Sequence, residues 1–208
     1  MGRTIGPKNK IARRFGVNLG LKTNATKVAR RINQKPGAHG ATRGGRVSVS
    51  SYGKQLIEKQ KAKFMYGLRE RQFRNYVKEA TRLQGDSGVA LQQLLEMRLD
   101  NVVYRMGFAQ TRAQGRQFTT HGMFQLNGKK MDIPSHIVRP GDVVGLRENK
   151  AKKTVFQNIS EVLSQRDAPS WLAVDAVKKE GKVLGKPIDA DLDKVFDVKL
   201  IIEYYSTR

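Results

Sequence analysis

The feature that most constrains this chain is a change of apolar period within one stretch, Leu94 to Leu146. Leu91, Leu94, Leu95, Leu99, Val102, Val103 and Met106 recur three and four residues apart, which places them on one face of a helix. Gly107 should stop that helix, because a residue without Cβ enters the left-handed region at little cost. Thr111-Arg112-Ala113-Gln114 has the capping-box spacing, in which hydroxyl and amide each satisfy a first-turn backbone N–H, so a second helix is expected from Thr111 to about Gly122. Beyond it the period falls to two. Phe124 and Leu126 alternate with polar residues up to Asn127-Gly128, the dipeptide that favours a type I′ hairpin turn, and Met131 and Ile133 alternate on the return. Pro140-Gly141-Asp142 marks a further turn before Val143-Val144-Gly145-Leu146. Two helices on a small sheet are expected.

The charges in this module share one sign. Arg112 and Arg116 stand four apart on the second helix, and Arg112 lies in the first turn, where free N–H groups and the positive dipole end attract phosphate. Both are expected to be exposed. Arg98, Arg105, Lys129 and Lys130 add to them. Taken alone, such residues read as solvated faces. The whole chain shifts that weighting: 40 Lys and Arg against 18 Asp and Glu leave a net charge of +22 in 208 residues. Self-repulsion on that scale implies a polyanionic partner.

Other classes are excluded by absence in the sequence. With no cysteine, disulfides and thiolate metal sites are ruled out, which fits a reducing cytosol. No apolar run approaches the roughly 18 residues of a membrane helix, and the basic start is not followed by a signal-peptide core. Gly6 stands where a myristoylation signal needs Ser or Thr. A soluble, unanchored chain is expected.

Residues 1–57 hold 13 Lys and Arg and no acid, with too little apolar periodicity to build a core. Within them, Gly37 to Arg46 reads as an irregular stretch able to mould to a nucleic-acid backbone; a tail without a partner is the bland alternative. From Ser51 to Leu83 the pattern is helical. Leu56, Gln60 and Phe64 form a weak face, and Phe73, Tyr76, Val77, Ala80 and Leu83 a clearer one whose aromatics suit packing better than base stacking. Gly85-Asp86-Ser87-Gly88 is a turn cluster and a candidate boundary. Residues 148–208 are nearly neutral, with eleven basic and ten acidic side chains. Ile159 to Gln165 reads as a short helix, Trp171 as core, and Phe196, Val198, Leu200, Ile202 and Tyr204 alternate as a final strand.

No catalytic constellation survives inspection. His39, His121 and His136 lack the pairing of metal ligands. Asp189, Asp191 and Asp193 resemble the start of a calcium loop, but Leu200 stands where the bidentate glutamate belongs. Gly181 to Pro187 is one residue short of a phosphate-binding loop and ends in Pro. Solvated turns account better for both.

The motifs resemble those of the fourth protein of the bacterial-type small ribosomal subunit, over essentially the whole length. They include Gly6-Pro7-Lys8, the Pro-Gly-x-His-Gly of Pro36 to Gly40, Tyr52-Gly53-Lys54-Gln55-Leu56-Ile57-Glu58-Lys59-Gln60-Lys61 and Glu70-Arg71-Gln72-Phe73. Arg98 to Arg105, Thr111-Arg112, Arg116-Gln117, Leu126-Asn127-Gly128, Ile133-Pro134-Ser135, Gly141-Asp142, Trp171-Leu172 and Glu203-Tyr204-Tyr205-Ser206 complete them.

That resemblance implies an α+β chain: a mainly helical domain plus an inserted helix-helix-hairpin RNA-binding module on a small antiparallel sheet, with an irregular basic N-terminal extension. The expected divisions are 1–45 for the extension, 46–92 completed by 184–208 for the helical domain, and 93–183 for the RNA-binding domain containing 94–146. It further implies a structural constituent of the small subunit. Such a protein is a primary binder of small-subunit ribosomal RNA that nucleates assembly, touches the fifth small-subunit protein and influences decoding accuracy. Arg43 and Arg46 match arginines on the messenger-RNA entry path of relatives. Neither a cofactor, an enzymatic activity nor a membrane partner is expected. The place is the ribosome, cytoplasmic or in an organelle.

Resemblance and charge together mark Arg3, Lys8, Lys10, Arg13, Arg14, Arg43, Arg46, Tyr52, Lys54, Lys59, Lys61 and Arg71 as RNA-binding, with Arg98, Arg105, Arg112, Arg116, Gln117, His121 and Lys129 in the module. Departures from the family pattern are the missing zinc-binding cysteines, His136 in place of tyrosine, and Gly115 in place of alanine, expected to cost the helix about 1 kcal/mol. The alternatives are an RNA-modifying enzyme sharing the module, or a generic polyanion binder.

Overall fold

The computed structural model describes residues 6–37 and 49–206. In chain order its helices are α1 (Lys8–Phe15), α2 (Ala25–Ala29), α3 (Ser51–Met65), α4 (Glu70–Arg82), α5 (Ser87–Glu96), α6 (Leu99–Arg105), α7 (Arg112–Thr120), α8 (Glu148–Ala151), α9 (Ile159–Gln165) and α10 (Val198–Ser206). The strands are β1 (Phe124–Leu126), β2 (Lys129–Met131), β3 (Val143–Leu146), β4 (Leu172–Asp175) and β5 (Glu180–Val183). The chain is thus α+β. It forms two compact units, residues 1–91 with 193–208, and residues 92–192.

The first unit is helical. Phe73, Tyr76, Val77 and Ala80 are buried along one face of α4, as their spacing requires, whereas Leu83 lies just past the helix and is exposed. On α3 the inward face differs from the expected one: Lys59, Ala62 and Met65 are buried, while Leu56, Gln60 and Phe64 are half-buried. The basic segment is less irregular than composition suggests. Helices α1 and α2 form there and bury Ala12 and Val28, with Phe15 packed 5.9 Å from Phe64.

The expected final strand is a helix. Asp197 caps α10, its carboxylate accepting from the N–H of Lys199 at 2.9 Å and of Leu200 at 3.4 Å. Ile201 and Tyr204, three apart, are its buried residues, while the alternating Val198, Leu200 and Ile202 are only half-buried. The helical period wins because α10 packs beside α3, with Tyr204 stacked 5.8 Å from Tyr52 and Phe73 6.2 Å from Tyr205.

The second unit carries a five-stranded antiparallel sheet in the order β2-β1-β3-β5-β4. Asn127 and Gly128, both at positive φ (50° and 79°), make the tight turn between β1 and β2. Strand β2 ends at Met131, leaving Ile133 exposed, because no further partner residue continues the ladder. Phe118, Phe124, Phe156, Leu163, Trp171 and Val183 share one core with α6, and α9 coincides with its expected span. Gly181 lies in β5 rather than in a solvated turn, where a Cβ would press on the Met106 side chain, 2.6 Å from its sulfur.

The long apolar series from Leu91 to Met106 is broken into α5 and α6. Between them Arg98 bridges to Ile137, Val138 donates its N–H to Met97 at 2.9 Å, and the Leu99 N–H reaches the His136 carbonyl at 2.8 Å. These exchanges replace the bonds a continuous helix would have made. Gly107 and Gly122, at φ 97° and 61°, end α6 and α7 as expected.

Candidate nucleic-acid interface

Thr111 caps α7, its hydroxyl accepting from the Gln114 N–H at 3.2 Å. Gln114 completes only a variant of the capping box, because its side chain accepts from Gln110 at 2.7 Å rather than from Thr111. Helices α6 and α7 approach closely at Gly115, where an added Cβ would stand 2.6 Å from the Asp100 carbonyl. The glycine therefore admits α6, and the helix cost expected for it is offset by that packing.

Around this contact the arginines turn inward. The buried Glu96 carboxylate accepts from Asn101 at 2.7 Å and from Arg105 at 2.8 and 2.9 Å, with Arg112 at 3.5 Å. Arg112 also donates to Asn101 at 2.7 Å and covers the Tyr104 ring at 4.8 Å, and it is only 8% exposed. Its expected surface position is therefore wrong. Arg98 is fully buried and bidentate to Asp100, at 3.0 and 2.7 Å. Arg116 is half-buried, 3.6 Å from the same carboxylate. Two interior acids thus gather four arginines that the sequence assigned to RNA. Burial forces this arrangement, since an unpaired guanidinium inside the fold would be costly.

What remains outward in the module is Gln117, His121 and Lys129. Lys130 is exposed but pairs with Asp132 at 2.8 Å, and that hydrogen bond holds the Asp132 carboxyl below its usual range. The turn between β4 and β5 adds Lys178, exposed, and Lys179, which the sequence pattern did not single out. The Asp175 carboxylate fixes this turn, accepting from Lys178 at 3.0 Å and from Val177 at 2.9 Å. A basic pair between two short strands was the signal that could have found it.

In the helical unit, Lys10, Arg14, Lys54 and Arg71 are exposed and Lys8 is half-buried. Tyr52 is exposed but stacked on Tyr204. Arg13 spends its guanidinium on the carbonyls of Gln34 and Lys35, at 2.7 and 3.3 Å, tying α1 to the segment after α2. Lys61 pairs with Glu58 at 2.7 Å. Lys59 does not present itself at the surface: it is 4% exposed, 2.8 Å from Glu70 and 4.7 Å from the Tyr204 ring. Burial pushes the Glu70 carboxyl up, but hydrogen bonds from Lys59, Tyr205 and Lys63 together overcome it and hold it at about 2. Burial and that carboxylate push the Tyr205 hydroxyl well above its usual range. Arg3, Arg43, Arg46 and His39 lie outside the described residues.

Among the described residues no group of three or more His, Cys, Asp or Glu could hold a metal ion, and no helix is long and apolar enough to cross a membrane.

The profile of the ribosomal protein S4/S9 N-terminal domain matches residues 3–96, and that of the S4 domain matches residues 97–144. Small ribosomal subunit protein uS4 of Persephonella marina is 46% identical over 207 residues, covering 99% of this chain and 100% of its own length. The chain belongs to the uS4 family. Two further relatives, uS4A and uS4B of Psychromonas ingrahamii, are each 47% identical over 208 residues, again covering 99% of this chain and 100% of their own. Members of the uS4 family are structural, RNA-binding ribosomal proteins rather than enzymes, and the α6–α7–hairpin module described above lies within the segment matching the S4 domain.

Proposed function

We propose that this chain is a primary binder of small-subunit ribosomal RNA that docks early on a folded multi-helix junction and nucleates assembly. The observation that carries this reading is the inward pairing of Arg98, Arg105 and Arg112 with Glu96 and Asp100. A module whose arginines are locked internally presents a rigid shape, suited to a folded RNA read by its surface rather than by its sequence. The outward lysines and arginines supply phosphate contacts. Contacts with the fifth small-subunit protein, a contribution to decoding accuracy and a place beside the messenger-RNA entry path belong to the same reading, as does a cytoplasmic ribosome.

Competition binding tests it. A junction-containing fragment of small-subunit rRNA should outcompete bulk tRNA, and with roughly 6–10 phosphate contacts its affinity should fall by about 10³–10⁵ between 50 and 200 mM salt. Equal affinity for both RNAs would leave only a generic polyanion binder. For the entry path, Arg43→Ala with Arg46→Ala should spare assembly of reconstituted subunits and slow translation through structured message. Normal speed would remove that part of the proposal.

A further inference from the structure

The turn between β1 and β2 is built from a dipeptide that is chemically labile as well as turn-forming. Asn127-Gly128 is the only Asn-Gly in the chain, and both residues are exposed. In such a pair the peptide nitrogen of glycine, with no side chain to shield it, can attack the side-chain carbonyl carbon of asparagine. An N–Cγ bond forms, the Cγ–Nδ2 bond breaks, and Nδ2 leaves as ammonia with the proton of the Gly128 N–H. Water then opens the cyclic imide at either carbonyl, leaving aspartate or isoaspartate. Neither an oxidant nor an enzyme is needed. Nothing stands within 4 Å of the place a Cβ would occupy at Gly128, so water has access to the turn.

The Asn127 side chain is held elsewhere. Its Oδ1 accepts from the Val143 N–H at 2.8 Å and its Nδ2 donates to the Asp142 carboxylate at 2.8 Å, so both ends of the amide are engaged at the start of β3. Only the oxygen can accept from that N–H and only the nitrogen can donate to a carboxylate, which fixes the orientation of the amide. Asp142 is itself anchored, its other oxygen accepting from the Arg139 N–H at 2.7 Å. The Asn127 N–H completes the clasp, donating to the Val143 carbonyl at 2.9 Å. For the Gly128 nitrogen to reach Cγ, the amide must leave both side-chain partners and fold back over its own peptide.

The product would undo the same joint. Aspartate at this position has no N–H for Asp142 and sets carboxylate against carboxylate. Isoaspartate inserts an extra methylene into the main chain of a turn whose two residues set the pairing of β1 with β2.

We propose that Asn127 is a self-modification site held shut by the fold: water deamidates it when the hairpin is open, and the clasp of Asp142 and Val143 prevents this when the module is folded. The residue thereby keeps a permanent record of time the chain has spent unfolded, and a chain so marked has lost the clasp that closes the turn.

The test incubates the full chain at mildly alkaline pH, folded or held unfolded in guanidinium chloride. The tryptic fragment beginning at Gln117 is then scored for aspartate and isoaspartate by mass spectrometry and enzymatic methylation. Deamidation should be about 10²-fold slower in the folded chain, the factor set by breaking one neutral and one charged hydrogen bond to free the amide. Asp142→Ala removes the charged bond and should raise the folded-state rate by about tenfold or more, measured where Trp171 fluorescence shows the variant folded. Equal rates in the folded and unfolded unmodified chain, or a folded Asp142→Ala variant that stays fully protected, would overturn the proposal. A further arm mimics the product: Asn127→Asp should lower the unfolding midpoint read by Trp171, and an unchanged midpoint would overturn the claim that the mark opens the turn.

Discussion

In the unit of residues 92–192, Glu96 and Asp100 sit inside the fold among Arg98, Arg105, Arg112 and Arg116; on α4 of the other unit, Arg71, Arg74, Lys78 and Arg82 are exposed and make no ion pair among the described residues. The first set is drawn from α6, its N-cap and α7, the second from one helix, and a count of charge treats them alike. Burial separates them. An interior guanidinium is stable only with its carboxylate, so it becomes part of the architecture and is spent there. An exposed one keeps its charge available for phosphate.

The largest effect should come from removing the hub of the inward set. Glu96→Ala strands the guanidinium groups of Arg105 and Arg112 in a nearly closed site and should destabilise the second unit by about 3–5 kcal/mol. Urea unfolding followed by the fluorescence of Trp171, which is buried in that unit's core, reads it directly. A midpoint close to that of the unmodified chain would mean the arginines find water or other partners. Their burial would then not be structural, and the contrast between the two units would lose its basis.

Next comes the contact that holds the two helices of the network together. Gly115→Ala places a methyl group 2.6 Å from a backbone oxygen that cannot rotate away. Overpacking of this kind costs about 1–3 kcal/mol. The roughly 1 kcal/mol by which alanine favours a helix over glycine offsets only part of that. A more stable variant by the same Trp171 measurement would show that α6 and α7 have room to part.

How far the sequence spoke for itself follows the same division. Local chemistry was legible: Asn127-Gly128 made its turn, Thr111 its cap, Ile159–Gln165 its helix, and Phe73 to Ala80 their buried face. Tertiary decisions were not. The break at Met97-Arg98 lies inside an unbroken apolar series, because it is imposed by Ile137 and Val138 from forty residues away. In the last element nearly every other residue is apolar, so alternation and helical spacing both fit. The Asp197 cap, which accepts from two amides of the first turn, was the readable sign for helix. For the site, residue type revealed an RNA binder but not which arginines face outward. Arg112 and Arg116 differ by one helical turn, and only the position of Asn101, Glu96 and Asp100 decides how deeply each is held.

A milder change sharpens the role of the cap. Thr111→Ala removes the hydroxyl that accepts from Gln114 and should cost about 1 kcal/mol, well below the Glu96 effect. Since no cation is touched, the salt slope of rRNA binding should stay the same while the Trp171 unfolding midpoint falls. A changed slope would mean that α7 frays enough to lose phosphate contacts, and that the shape of the second unit and the charge on its surface are coupled.

The smallest effect tests one exception in the helical unit, where Lys59 and Lys63 share an acid just as Lys61 has Glu58. Glu70 is held at about 2 in the folded chain against an ordinary value of 4.5, so the unfolded state takes up its proton first as pH falls. Its contribution to stability is therefore complete above about pH 4.5 and lost progressively towards pH 2. The side chain is 46% exposed, so solvent screening keeps that contribution modest. Glu70→Gln should flatten this acid limb for the helical unit, read as hydrogen exchange of residues 51–82 at pH 5 and pH 3. Trp171 should report the same pH dependence in both proteins, because the pairs in its unit are untouched. If the protection of residues 51–82 in the unmodified chain, relative to the intrinsic exchange rate at each pH, were already the same at both pH values, Lys59 would owe its burial to the Tyr204 and Tyr205 rings rather than to the carboxylate. The Lys61–Glu58 pair would then be the remaining inward ion pair described for the helical unit, and the division between inward and outward charge would rest on it.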